Sequence, residues 1–400
     1  MTSAAPVSSP TGEGAFAEEL AAVDAALTAE SRRADASPTS WTARAGVSAL
    51  WRSRARLSGD DADYAMSDAA LDEAFSVAVE GAGPFLERAS LNATLHRFPQ
   101  VAPDLDAASA AVLVDDGTAA AIATRRGELA WQQGDYDDAF AWIDASRTLD
   151  DTVGGAATAA FFAWRVGDFE AAEALYDEAE AQYHGTAAEP RAWVHLQRGL
   201  MDLERGQYEA SLAHYLDADA ELSGYWLIHE HVAEILVLQG EDAVAQAMYE
   251  EIVEATGAPE FMDALAELAQ ARGDDAEAQQ WIDRASAAYE AQLAQFPEAA
   301  AGHALGHYLT FGPAEDAVAL ATANLTLRDN SESRMWMAQA LLSMGDVASA
   351  RAEIEVALSD VWVTAELHAT AAEIYTALGE DDAAAAQARA ARAIDPRVFD

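Results

Sequence analysis

The sequence predicts an all-α solenoid built from pairs of antiparallel helices. Three observations predict it. One short phrase returns along most of the chain at a near-constant spacing, both flanks of that phrase carry helical apolar periodicity, and small residues recur at fixed offsets from its centre. The phrase is "LAWQQGDYDDAFAWI" at 129–143 and, almost repeated, "FAWRVGDFEAAEALY" at 162–176. Its Gly is expected to stop one helix in a left-handed cap, and the following Asp to cap the next.

The turn glycines are Gly134, Gly167, Gly206, Gly240, Gly273, Gly312, Gly345 and Gly379, separated by 33, 39, 34, 33, 39, 33 and 34 residues. Seven positions before each lies Gly127, Ala160, Gly199, Ala233, Ala266, Leu305, Ala338 or Ala372, small in all but one copy. Five positions after it the residue is Ala or Ser in every copy, and four further on it is mostly bulky, as with Ile143, Tyr176, Tyr215 and Tyr249. Small residues let two helices approach closely while the bulky one fills the groove beside them. The two 39-residue steps fall at "QYHGTAAEPRAW" and "QLAQFPEAAAGH", where Pro190 and Pro297 restart a helix. Extra length there is expected to lengthen a second helix or bend the array.

"GELAWQQGDYDDAFAWI", "RGLMDLERGQYEASLAHY" and "EIYTALGEDDAAAAQA" share this small, Gly-turn, small, bulky pattern, and "AIDPRVFD" closes the chain with Asp-Pro. In these features the sequence resembles the tetratricopeptide repeat (TPR) family over residues 118–400, in about eight clear copies. Upstream, a turn at Gly59 and a degenerate one near His96 extend the register by steps of 37 and 38. The resemblance implies a right-handed superhelical solenoid. The expected organisation is a flexible segment at 1–15, degenerate helical repeats at 16–117 and a continuous solenoid at 118–400.

Composition limits the function. The chain has 400 residues, 23 basic and 69 acidic, for a net charge of −46; every basic residue is Arg. Such a field disfavours nucleic acid and anionic membranes as partners. There is no Cys for disulfide or thiol chemistry, and no apolar run of membrane-spanning length. The opening "MTSAAPVSSPTGEG" lacks the basic and apolar regions of a signal peptide. A soluble protein is expected, cytoplasmic or exported with its leader removed, in an oligomeric state the sequence does not specify.

The TPR resemblance further implies that the first helix of each pair lines a concave face through its positions 2, 5, 9 and 12. In the early repeats these positions hold Glu128, Trp131, Phe161, Trp164 and Trp193. In the later ones they hold Glu230, Glu234, Glu260, Asp263, Glu267, Gln270, Glu332, Gln339, Glu366 and Glu373. A groove aromatic at one end and acidic along the other suits a protein or peptide segment carrying apolar residues and Arg or Lys. Two plainer readings stand beside it: a charge of −46 puts acid on every face, and aromatics at helical spacing also pack between repeats.

Histidines offer a different chemistry. His229 and His231 lie in "WLIHEHVAEI", and His303 and His307 form an i, i+4 pair in "AGHALGHYL" that could chelate a metal. The Glu of an "HExxH" helix is missing, and by register such residues also suit a half-buried interior. No phosphate-loop, nucleophile-elbow, dinucleotide or calcium-loop motif is present, so no catalytic residue or cofactor is assigned. The expected function is a non-catalytic binding scaffold, with a metal- or small-ligand-binding solenoid as the alternative.

Overall fold

A computed structural model describes residues 14–399. Among them are 21 α-helices and no strand. The first, α1 (Ala15–Ala36), precedes ten pairs. Two pairs precede the clear repeats: α2 (Trp41–Ser58) with α3 (Ala62–Val77), and α4 (Phe85–Thr94) with α5 (Phe98–Ser109). Four follow: α6 (Asp116–Gln132) with α7 (Tyr136–Leu149), α8 (Val153–Arg165) with α9 (Phe169–Gln182), α10 (Glu189–Glu204) with α11 (Tyr208–Glu221), and α12 (Trp226–Leu238) with α13 (Asp242–Thr256). The last four are α14 (Pro259–Ala271) with α15 (Asp275–Gln295), α16 (Pro297–Thr310) with α17 (Ala314–Leu327), α18 (Ser331–Ser343) with α19 (Val347–Ser359), and α20 (Ala365–Ala377) with α21 (Asp381–Ile394). The segment expected to be flexible, 1–15, lies outside the described residues except for its last two, and Ala15 already begins α1.

Seven of the eight turn glycines adopt positive φ, as does Gly59. At the degenerate turn His96 itself takes φ 55°, the one non-glycine to do so among the described residues. Gly312 departs from the expectation and is not left-handed. Pro313 follows it, and a proline ring pushes the preceding residue toward extended backbone. The Asp cap forms at Asp168, Asp274 and Asp346, whose carboxylates accept the N–H of Ala171, Glu277 and Ser349. Asp135 holds the same place with no side-chain bond.

Inside each pair the small positions do what their size allows. The residue five after the turn is buried in all eight copies, and Tyr176, Tyr215 and Tyr289 are fully buried in the grooves between helices. A Cβ on Gly199 would strike the Tyr215 ring. The two long steps are resolved differently. The first is a loop between α9 and α10, strapped by the Tyr183 hydroxyl donating to Ala187 O at 2.8 Å. The second lengthens α15 to 21 residues, after which Phe296 plugs a cluster with Leu71, Leu91 and Leu95.

The array winds back onto itself. The Trp226 indole N–H donates to Leu57 O at 2.8 Å, and Gln292 donates to Asp61 at 2.9 Å. Farther along, Ser331 N–H donates to Tyr136 Oη at 3.0 Å, Arg328 to Gln132 at 2.7 Å, and Val363 N–H to Arg165 O at 2.9 Å. These last three partners stand 195, 196 and 198 positions apart. The second superhelical turn therefore rests on the first. Two turn glycines have a second role here: a Cβ on Gly134 would meet Asp329 O, and one on Gly206 would meet the Asp395 carboxylate.

Candidate binding face

The aromatic end is mostly core. Trp131 is 6% exposed and stacks on Phe162 at 4.4 Å, with Tyr136 edge-on at 4.8 Å. Trp164 is 2% exposed; its indole N–H donates to Glu204 at 3.1 Å, and Arg165 lies over its ring while pairing with Glu204 at 2.7 Å. The structure thus seats Trp131 and Trp164 between helices rather than as free groove anchors, because large rings on one helical stripe meet the neighbouring stripe. Trp193, by contrast, is 38% exposed. With Phe161, an edge of Trp131, Glu128 and Gln132 it lines a cavity of about 250 Å³. Glu128 itself is held by Arg125 at 2.5 Å.

The carboxylates fall into two groups. Toward the C-terminus Glu332 pairs with Arg328 at 2.6 Å, and Gln339 donates to Glu366 at 3.0 Å. Glu332, Glu366, Arg165 and Glu204 surround a cavity of about 230 Å³. Burial raises Glu366, with the Gln339 amide opposing it and Glu332 adding repulsion. Glu373 and Gln270 are exposed.

The central group, on α12 and α14, lacks such partners. Among the described residues no Arg pairs with Glu230, Glu234, Glu260, Asp263 or Glu267. Imidazoles alone offset them: His231 lies 3.1 Å from Glu230 and 3.4 Å from Glu234, and His307 lies 2.7 Å from Asp263. Burial first, then repulsion from Glu234 and Glu260, pushes Glu230 up to about 7 despite His231. Glu260 and Glu267 are raised by burial and then by neighbouring acids, with His303 opposing the shift at Glu260. Burial works against charge on His231, but Glu230 and Glu234 outweigh it and hold the imidazole above its usual value.

Cavities link the two regions. One of about 320 Å³ is bounded by Glu260, His303, Arg56, Asp61, Trp226 and His96. A second, about 230 Å³, shares Thr94 and His96 with it and reaches Arg125, Glu128 and Gln132. Glu128 and Gln132 also line the aromatic cavity. Burial, followed by repulsion from Arg328 and His303, lowers His96 to about 4, so its imidazole is neutral near neutral pH.

The structure does not gather His229, His231, His303 and His307. His229 is buried and bonds Asp219 at 3.0 Å. His307 uses both ring nitrogens, toward Ser286 at 2.8 Å and Asp263 at 2.7 Å, while His303 is exposed at the large cavity. Among the described residues no close group of three potential ligands holds more than one of these four.

His195, which the register places at the same inward position as His229 and His368, belongs to a different polar cluster. His195, Arg198 and Asp202 on α10 face Glu173, Asp177 and Glu180 on α9 and His214 on α11. Burial and then Arg198 lower His214, and burial raises Asp202. The sequence holds a signal of this cluster. Positions 4, 7 and 11 of this repeat are all polar, whereas the next holds Val232 and Leu236 at the latter two.

No protein-family model and no curated protein matches the sequence. Solved structures do match. A tetratricopeptide repeat protein from Parabacteroides merdae is 17% identical, covering 60% of this chain and 93% of its own, with a TM-score of 0.36. The human IFIT1 dimer with m7Gppp-AAAA is 12% identical over 88% of this chain and 89% of its own, at 0.45. Yeast Tom70 is 14% identical over 93% and 96%, at 0.39.

Proposed function

We propose that this TPR-like solenoid is a non-catalytic scaffold whose continuous body, 16–400, binds an extended protein or peptide segment bearing Arg or Lys along its inner face. The single observation that carries this reading is the Arg-free acid strip on α12 and α14. Burial first, and neighbouring acids after it, make Glu230, Glu260 and Glu267 hold protons more tightly than free carboxylates, a shift that an incoming cation would reverse by favouring their charged forms. A guanidinium or ammonium group entering there would gain attraction that an exposed surface acid cannot offer. The cavity at Trp193 and Phe161 supports an apolar anchor on the same ligand. A polyanion such as the RNA bound by IFIT1 is the opposite of what this strip favours.

The test replaces Glu230, Glu234, Glu260 and Glu267 together by Gln. Asp263 is kept because it holds buried His307. A fluorescein-labelled Arg/Leu-rich peptide should bind the wild type and lose affinity by about tenfold or more in the variant, with a flatter salt dependence. Gln at Glu251, Glu254, Glu290 and Glu315, exposed on second helices, is the control. Equal loss in both variants would show that bulk charge, not the strip, attracts the peptide.

A further inference from the structure

We infer that His195, His214 and Asp217 form a binding site for one borderline transition-metal ion of the Zn²⁺ class, on the face where α9, α10 and α11 meet. One potential ligand atom from each of the three lies within 4.8 Å of the other two. The placement follows from the repeat. His214 and Asp217 stand three apart on α11, hence one turn apart on one helical face. The antiparallel turn at Gly206 brings His195, eleven residues before it, against the residues that follow it by a similar distance. At His195, Arg198 and Asp202 a TPR-like pair would normally place apolar packing. Ion pairs account for Arg198, with Glu173, Asp177 and Glu180, and for Asp202, with Arg205, whereas His195 has only the long contact to Glu180.

The second observation is chemical. The Nδ1 atoms of His195 and His214 are both buried with no hydrogen-bond partner. Orphaned imidazole nitrogens are costly and uncommon inside folded proteins. The contacts the other nitrogens make are long, 4.0 Å from His195 to Glu180 and 3.7 Å from His214 to Asp202. Two rings with open lone pairs and a nearby carboxylate make a donor set suited to Zn²⁺, with water completing four ligands.

The neighbouring triplet of Glu173, Asp202 and His214 is a poorer candidate. Arg198 already pairs with Glu173 at 3.0 Å, and Arg205 with Asp202 at 3.3 Å, so a cation there must displace one already in place. No ion pair engages Asp217 among the described residues, and its side chain is exposed. The site is open to solvent on that side.

Calorimetric titration of the full chain with Zn²⁺, in excess Mg²⁺ to occupy surface acids, tests the inference. One saturable equivalent is expected, and Co²⁺ should give the visible ligand-field spectrum of a tetrahedral site. His195→Gln with His214→Gln should remove that equivalent, and Asp217→Asn should weaken it by at least about tenfold. His231→Gln should leave it intact, and circular dichroism checks that each variant remains helical. Absence of a saturable equivalent in the wild type overturns the site, as does its persistence in the helical double variant. Loss on His231→Gln instead would move the ion to the Glu230, His231 and Glu234 cluster and equally reject this assignment.

Discussion

Two stretches of the positions that the repeat register assigns to one face, 12 on α6 and α8 and 2, 5 and 9 on α12 and α14, behave in opposite ways. At α6 and α8 those positions hold Trp131 and Trp164, which are buried between helices. At α12 and α14 they hold Glu230, Glu234, Glu260 and Glu267, which are offset only by imidazole or not at all. Register assigns a direction to a side chain; chemistry decides whether a neighbouring stripe closes over it. Rings meet rings and become core, whereas like charges keep their distance and leave a space.

The largest test of this contrast is Trp131→Ala, which should cost about 3–5 kcal/mol of stability by denaturant titration, in the range of a deleted core aromatic. A loss below about 1 kcal/mol would mean the ring is a surface anchor after all.

Acidity gives the next largest effect, on α12 and α14. Glu230 binds its proton more tightly in the folded chain, at about 7 against an ordinary 4.5, so stability falls as pH rises through that window. His231, raised in the fold, contributes stability at low pH that is lost as pH passes its folded value, in the same direction. His96 and His214, both lowered in the fold, work in the opposite direction, so the strip is read from the difference between proteins: the thermal midpoint of Glu230→Gln should gain on that of the wild type by several degrees as pH rises from about 4.5 to about 7. A difference that stays constant across this window would contradict the raised Glu230.

Salt sharpens the contrast with a smaller effect. With a net charge of −46, screening should raise the thermal midpoint as the Debye length shrinks from ~30 Å at 0.01 M to ~8 Å at 0.15 M. The four-Gln variant should rise less than the wild type; an identical rise would assign the repulsion to the outer surface. The smallest expected effect is Glu267→Gln alone, within about 0.5 kcal/mol by denaturant titration.

The helix pairs were legible in the sequence because their causes are local. Gly199 opposite Tyr215, or Ala139 beside Ile143, is a contact across one turn, and the spacing reports it. Even the degenerate turn at His96 could be placed by counting. The stacking of superhelical turns was not legible, since it depends on small rotations accumulated over several pairs and no single residue encodes it. The side chains at positions 2, 5, 9 and 12 were only partly legible: the absence of Arg beside Glu230 and Glu260 needed the fold, and the fate of Trp131 depended on Phe162, a residue outside those positions. The His195 and His214 cluster needed three helices at once. Its polar triplet was visible only as a departure from pattern.

The stacking at Gly134 and Gly206 changes what chain length means in this molecule. An ordinary solenoid is a row of bricks whose stability is a sum over adjacent units, so removing one brick shortens the row and leaves the rest alone. Here the row is also a screw thread. Asp329 must arrive over Gly134 and Asp395 over Gly206, so the length of chain between each of these partners is part of the fit. Excising a single repeat between these partners would leave every neighbouring pair intact and still strip the thread.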